Sequence, residues 1–258
     1  MKRWLLRTFL PPAIMLVVII ALTEVGVRVF DVSPTLLPPP SSIAEESLKR
    51  WTELRDGLWT TTKATVSGFV ISAVVGIIAA VIMSSSRWIE RACFPYTVLF
   101  QTVPIIAIAP ILVIGLGAGY KAVTASVIVV ALFPVIANTL AGIKGTDPAL
   151  VDLFRLYKAG PIATLFKLKL PSALPQMFTG LRVASGLSVI GAVVGEYVAG
   201  QAHDKRGLGT MVDLYYHNYN SDMVFASVIV SSFLGIGLFG TINLAGWLLM
   251  RNWHAGSR

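Results

Sequence analysis

The chain has 258 residues, of which 55% are hydrophobic and only 13% charged. Soluble domains carry roughly twice that charge fraction, so too few polar residues exist to cover a water-facing surface, and the apolar content excludes disorder. With 22 glycines in no three-residue period and a single cysteine, collagen-like and disulfide-scaffold classes fall away; a net charge of +8 then reads as basic residues gathered on one side of a membrane rather than as a nucleic-acid surface.

A helix needs about 20 apolar residues to cross the hydrocarbon, and only helices and closed barrels pair every backbone polar group there. The apolar runs are long and continuous, not ten-residue alternations, so an all-α, polytopic membrane protein of one domain is expected. The Met1-Lys2-Arg3-Trp4 start resembles a signal peptide, but no clean small-residue cleavage site follows, and residues 10–30 are read as a retained first span. Glu24 and Arg28 stand one turn apart at its outer end and can pair. Leu37-Pro38-Pro39-Pro40 is an extended turn. Ser41 or Ser42 then caps a charged amphipathic helix on the outer surface.

The second span is placed at 58–84 and the third at 92–115. The third carries Pro104 and Pro110, and a proline break at membrane depth needs protein or water around it. That run is therefore expected to face other helices. Thr102 and Pro104 at the break are pathway candidates, and Gln101 suits either hydrogen bonding across helices or solute contact. Cys93 reads as a small buried apolar residue. The fourth span, 122–143, contains Asn138, which suits either hydrogen bonding across helices or solute contact.

Residues 144–177 are too polar to span and too apolar for a plain loop. Asp147-Pro148 starts a helix. Leu150, Leu153, Phe154 and Tyr157 follow as a stripe, with Asp152 and Arg155 close enough to pair on another face. Gly160-Pro161 stops this helix and starts the next, and Pro171 and Pro175 are expected to break that one before the fifth span. Two readings of this segment fit the physics equally: a knob that docks in a partner's groove, or an interfacial helix on anionic lipid.

The fifth and sixth spans are placed at 178–200 and 223–250. Glu196 near the outer end of the fifth either lines the pathway or a gate, or sits at the headgroups bonded to nearby backbone or Tyr197. Gly186, Gly191 and Gly195 allow close helix packing. Tyr215, Tyr216 and Tyr219 suit an interfacial aromatic belt or a contact for an outer partner. His203, His217 and His254 have no metal-ligand spacing. With the N-terminus inside, thirteen of the 21 lysines and arginines fall in inner segments, Arg182 among them, seven fall outside, and Arg28 lies near the outer end of the first span. This predicts both termini on the cytoplasmic side.

The inner segment resembles the membrane permease subunits of binding-protein-dependent ABC importers. Those carry a motif of Glu-Ala-Ala, three residues, Gly, then Leu-Pro further on. Here Asp152-Leu153-Phe154 stands at the first place and Leu170-Pro171 at the last. Lys158 falls where the family usually has Gly, and Gly160 lies two residues later. Gln101-Thr102-Val103-Pro104, Gly180-Leu181-Arg182-Val183-Ala184, Gly195-Glu196-Tyr197-Val198-Ala199-Gly200 and Arg206-Gly207-Leu208-Gly209 resemble the nitrate, sulfonate, taurine and bicarbonate branch, which also includes thiamine-precursor permeases. The resemblance implies a homodimer in the bilayer with two cytoplasmic ATPase subunits beneath it. An extracytoplasmic binding protein would deliver the solute outside. It also implies that Asp152, Tyr157, Lys158, Gly160 and Pro161 form the coupling surface, in a bacterial-type cytoplasmic membrane. No phosphate-loop motif is present, so ATP and Mg are expected on the partner ATPase and no cofactor on this chain. An ATP-independent secondary transporter would bury charged coupling residues at mid-membrane depth, and those positions read as almost uncharged. An intramembrane enzyme would need a catalytic set, and none is apparent.

Overall fold

The computed structural model describes residues 2–199 and 206–251; Gly200, His203, Lys205 and His254 lie outside them. The helices are α1 (Lys2–Val29), α2 (Pro40–Lys49), α3 (Trp51–Ser85), α4 (Arg87–Thr102), α5 (Ile105–Leu116) and α6 (Tyr120–Lys144). They continue as α7 (Pro148–Leu156), α8 (Pro161–Thr164), a π-turn (Leu165–Lys169), α9 (Leu170–Ala199), α10 (Leu208–His217) and α11 (Ser221–Met250). No strand occurs among the described residues. Five stretches are long and apolar enough to cross a membrane: Leu10–Val29, Trp51–Ser85, Tyr120–Lys144, Pro161–Ala199 and Ser221–Met250. The bent pair α4–α5 makes a sixth if it counts as one span.

Two expectations about proline need correction. The third run does break at Pro104 as expected, with α4 and α5 meeting at 101°, but Pro110 makes no second break. Val103 is extended, as a residue before proline prefers, and Pro104 becomes the N-cap of α5. Pro110, by contrast, sits inside α5 without breaking it. Nor do Pro171 and Pro175 interrupt the fifth span. The Leu170 amide bonds back five residues to Leu165, closing the π-turn. That widened turn relieves the clash a proline ring makes with the preceding carbonyl, so Pro161–Ala199 runs on with Pro175 inside α9.

α6 lies at the centre, packed against α9 and α3. The approach is close because small residues face the neighbour. A side chain at Gly68 would stand 2.5 Å from Val127, and one at Gly191 would stand 2.7 Å from Val130. Several buried hydroxyls bond within their own helix: Thr65, Ser72, Ser126 and Ser188 each donate to the carbonyl four residues back. Asn138 does the same to Pro134 at 2.8 Å, so it does not bond across helices as one expectation had it. At the inner end of α6, Lys144 reaches Glu90 at 2.7 Å and ties it to α4.

α1 stands almost free of the bundle and touches α2 alone to any extent. The Glu24–Arg28 pair forms, and Ser41 joins it. Ser41 donates to Glu24 through both its amide at 3.0 Å and its hydroxyl at 2.8 Å. Ser41 is therefore not a helix cap; α2 starts on Pro39 and Pro40 without a side-chain cap. On α2, the hydrogen bond from Lys49 holds the Glu45 carboxyl below its ordinary range and raises the lysine in turn. α4 and α5 are covered on one side only, with Phe100, Ile111 and Ile114 exposed. Cys93, expected to be buried, lies exposed on that open α4 surface.

The packing makes a direct test. Gly68→Leu should destabilise the purified protein by about 1–3 kcal/mol through overpacking, read as a lower Tm in detergent. Gly186→Ala, with nothing within 4 Å of the added carbon, should leave Tm unchanged.

Candidate functional site

Asp147 accepts from the Ala149 amide at 2.9 Å and caps α7, with Pro148 as its first residue. Arg155 donates to Asp152 at 3.1 Å along the exposed face. α7 packs closely on no other helix. Leu153 is half-open, and Leu156, Tyr157, Ile162 and Phe166 stand well exposed; Phe154 is partly covered. The exit from α7 is a left-handed cap. Lys158 donates to Arg155 and Ala159 donates to Phe154, both at 2.9 Å, while Lys158 itself holds φ +54°. This is the Schellman arrangement, in which glycine is preferred because it lacks a Cβ. The position where the resembled motif has glycine is thus the one that needs left-handed backbone. Gly160, with φ −66°, is not a displaced substitute for it. Instead it is the N-cap before Pro161, the first residue of α8. Leu170 and Pro171, both half-buried, lie where the π-turn passes into α9.

A second constellation lies at the other end of α9. Glu196 is buried, only 5% exposed, and is bonded to backbone, one of the two expected partners, rather than to Tyr197. Its carboxylate accepts from the Thr61 hydroxyl at 2.8 Å and from the Gly209 amide at 2.9 Å. Thr61 in turn accepts from the Leu208 amide at 2.8 Å. Two side chains from α9 and α3 therefore satisfy free amides at the start of α10. Gly207 and Gly209 are required there. A Cβ at Gly207 would overlap the Glu196 carboxylate, and one at Gly209 would overlap the Val193 carbonyl. The Gly195-Glu196 and Arg206-Gly207-Leu208-Gly209 motifs are two halves of one joint, a pairing that no spacing in the sequence reveals.

Beside this joint opens a cavity of about 820 Å³, bordered among others by Glu53, Trp59, Lys63, Tyr120, Glu196 and Arg206. Tyr215 bonds to Glu53 of its lining. It donates to Glu53 at 2.7 Å and accepts from Arg50 at 3.1 Å. It is buried, so the expectation of a membrane-interface tyrosine fails for Tyr215, although Tyr216 and Tyr219 are exposed. Burial, and then the Glu53 carboxylate, push its phenol above the ordinary value.

The remaining pathway candidates do not join this cluster. Gln101 and Thr102 are exposed at the α4–α5 corner, where the Thr102 hydroxyl donates back to Leu99 at 2.8 Å, and Pro104 is the cap that turns the chain. Asn138 is spent inside α6. Gly191 and Gly195 pack on α6 as expected, but Gly186 faces open space. Among the described residues no group of three or more metal-ligating side chains occurs.

Residues 72–251 match the family model for binding-protein-dependent transport system inner membrane components. The chain is 33% identical to the formylaminopyrimidine transport permease protein of Halalkalibacterium halodurans, over 90% of this chain and 92% of that one. It is 28% identical to the bicarbonate transport system permease protein of a Synechocystis species, over 74% and 72% respectively. In fold it is similar to an inward-facing methionine ABC transporter, with a TM-score of 0.65 at 22% identity, covering 79% of this chain and 97% of that one.

Two substitutions follow from the geometry. Glu196→Ala strips the acceptor from a buried amide and should destabilise the α10 joint by about 1–3 kcal/mol, seen as faster hydrogen exchange at residues 208–211. Glu196→Gln keeps an acceptor and should lose less. Lys158→Gly removes a left-handed side chain and should stabilise the α7 exit by about 1 kcal/mol, seen as slower exchange at Lys158 and Ala159.

Proposed function

Because this chain belongs to the binding-protein-dependent transport system inner membrane component family, we propose that its inner α7–α8 segment is the handle by which a separate ATPase moves the membrane helices. The chain is a multi-pass permease subunit of an ABC importer for small solutes, a transport component and not an enzyme; the family works with an ATPase and a binding protein. The finer assembly is our reading: two copies of this chain, two ATPase subunits below, a binding protein outside, and both termini cytoplasmic in a bacterial-type inner membrane. ATP and Mg belong to the ATPase.

The observation that carries this reading is the exposure of apolar side chains on an otherwise polar segment. Leu156 and Tyr157 are each 80% exposed and Ile162 is 73% exposed, on a short helix with rigid proline-bounded ends and few contacts to its own chain. Such knobs suit a groove on a partner protein. Asp152, Leu153, Phe154, Tyr157, Lys158, Gly160 and Pro161 form the docking edge, and Leu170-Pro171 joins it to α9. Coupling of two sites needs a stiff element whose position both can bias, and the continuous Pro161–Ala199 helix is one. The solute is a small nutrient. The relatives' names cover a formylaminopyrimidine and bicarbonate, so an oxyanion and a small heteroaromatic are the two classes considered.

The handle is tested by Asp152→Arg and Gly160→Trp in the intact importer. Each should still insert in the membrane but lose co-purification with the ATPase and lower solute uptake at least tenfold. Undiminished uptake in both variants would remove the handle from this segment.

A further inference from the structure

The fifth span holds a charge at a depth where charges are costly. α9 begins at Leu170, so Arg182 lies twelve residues, about 18 Å, along it. A second measure agrees. Gly180 packs against Pro134 and Asn138, and Pro134 is about 21 Å from the Tyr120 end of α6 and about 15 Å from its Lys144 end. Arg182 is thus near the middle of the membrane, not in the inner segment. Mid-span charge of this kind is costly to insert and marks a functional position by default.

The guanidinium has no counter-ion. Its Nε is buried without a hydrogen-bond partner, and no ion pair forms to it among the described residues. Its surroundings explain where it points. Phe178, Ser185 and Val189 on one side of it are buried, with Phe178 against Gly246 and Val189 against Gly235 of α11. Thr179, Gly186 and Ile190 on the other side are open. Arg182 stands on the border of the packed and open faces of α9.

A second copy of the chain does not supply the missing charge. Of the thirteen acidic residues, twelve are among the described residues, and none of these lies at this depth in a span. Glu24 is engaged with Arg28 and Ser41 near the outer end of α1. Glu90 pairs with Lys144 at the inner end of α6. Glu196 is fourteen residues, about 21 Å, further along α9 and is held by Thr61 and Gly209. Lipid phosphates lie about 15 Å from the midplane, beyond the reach of an arginine side chain. The unmet partner is therefore something that enters and leaves.

We propose that Arg182 is the fixed cation of a mid-membrane subsite on the open face of α9, where the translocated solute passes as an oxyanion, carboxylate, sulfonate or bicarbonate in kind. A planar guanidinium presents paired donors that match such groups. Gly186, one turn above and without neighbours, leaves room for the solute. The inference rests on the permease reading and narrows its solute class to anions.

The test needs no knowledge of the solute. In the reconstituted importer carrying Cys93→Ser, Gly186→Cys is treated from water with two membrane-impermeant thiol reagents, sulfonatoethyl and trimethylammonioethyl methanethiosulfonate. One unit charge about 6 Å away in water favours the anion and disfavours the cation by about threefold each. The anionic reagent should therefore react about tenfold faster, relative to free thiol. Arg182→Gln should bring the ratio to near one, and Arg182→Lys should keep it. No reaction with either reagent would mean that the face is packed or lipid-covered and would overturn the proposal. Equal rates with Arg182 present would overturn it too, since another group would then neutralise the charge. Failure of either kind while the chain with its native handle still co-purifies with an ATPase refutes the subsite alone; failure of that chain to co-purify with any ATPase refutes the permease assembly.

Discussion

Hydrocarbon neither bonds a stray amide nor drives one apolar helix onto another, so helices in it hold together by close approach. In this protein the approach is made by one stripe of α9. Gly180, Ala184, Ser188, Gly191 and Gly195 are all buried, at spacings that put them on one face. They let α9 lie against α6 so closely that the glycine positions tested there have no space for a methyl group. α3 meets the other side of α6 in the same way through Gly68 and Gly76. The Ser126 and Ser188 hydroxyls at the α6–α9 contact bond within their own helices, so neither has to find a distant partner.

Much of the remaining architecture hangs from that contact. Pro161–Ala199 is one continuous helix of 39 residues, about 58 Å long, and it carries something different at each level. Its lower end is the π-turn and the exposed α7–α8 segment. Its upper end is Glu196, which holds the first amides of α10 in place. Between them stands Arg182. The surfaces left bare by their own chain are α1 and the outer side of the bent α4–α5 pair, although α5 packs against α6 and α9 on its inner side. Bare apolar helices in a membrane protein are not anomalies in themselves, because lipid is as apolar as they are.

The number and type of spans could be read from hydropathy, since a 20-residue apolar run has few other uses. The cap at Asp147 and the Gly160-Pro161 restart were legible as well, because capping is local chemistry. What failed was whatever depended on a neighbour. Pro104 and Pro110 look equivalent in sequence, but only one breaks its helix. Pro171 reads as a stop until a widened turn accommodates it. Ser41 reads as a cap, yet Glu24 claims it from seventeen residues away. Tyr215 sits in an aromatic cluster that suits an interface, but Glu53 and Arg50 draw it inward. The Glu196 joint needed Thr61, 135 positions distant, and no local signal marks that threonine.

Arg182 shows a deeper limit. Span ends are placed where apolar runs meet charges, so a charge inside a span is taken for the end of it. Arg182 lies inside the 178–200 span by position, yet a count of flanking charges assigns it to the inner segment, because the charge-free run begins only at Val183. The same step made the mid-span positions look almost uncharged, which was the ground for setting a secondary transporter aside. With Arg182 at mid-span depth, family membership is what separates this chain from a secondary transporter. Depth is instead given by register between packed helices. Gly180 against Pro134 and Gly142 against Ala173 tie α9 to α6 at two heights, and the charge falls above both. Asp152 and Arg155 face each other in water, where an exposed pair is worth little. Arg182 has no such neighbour, and the cost of holding it at that depth is what gives it meaning.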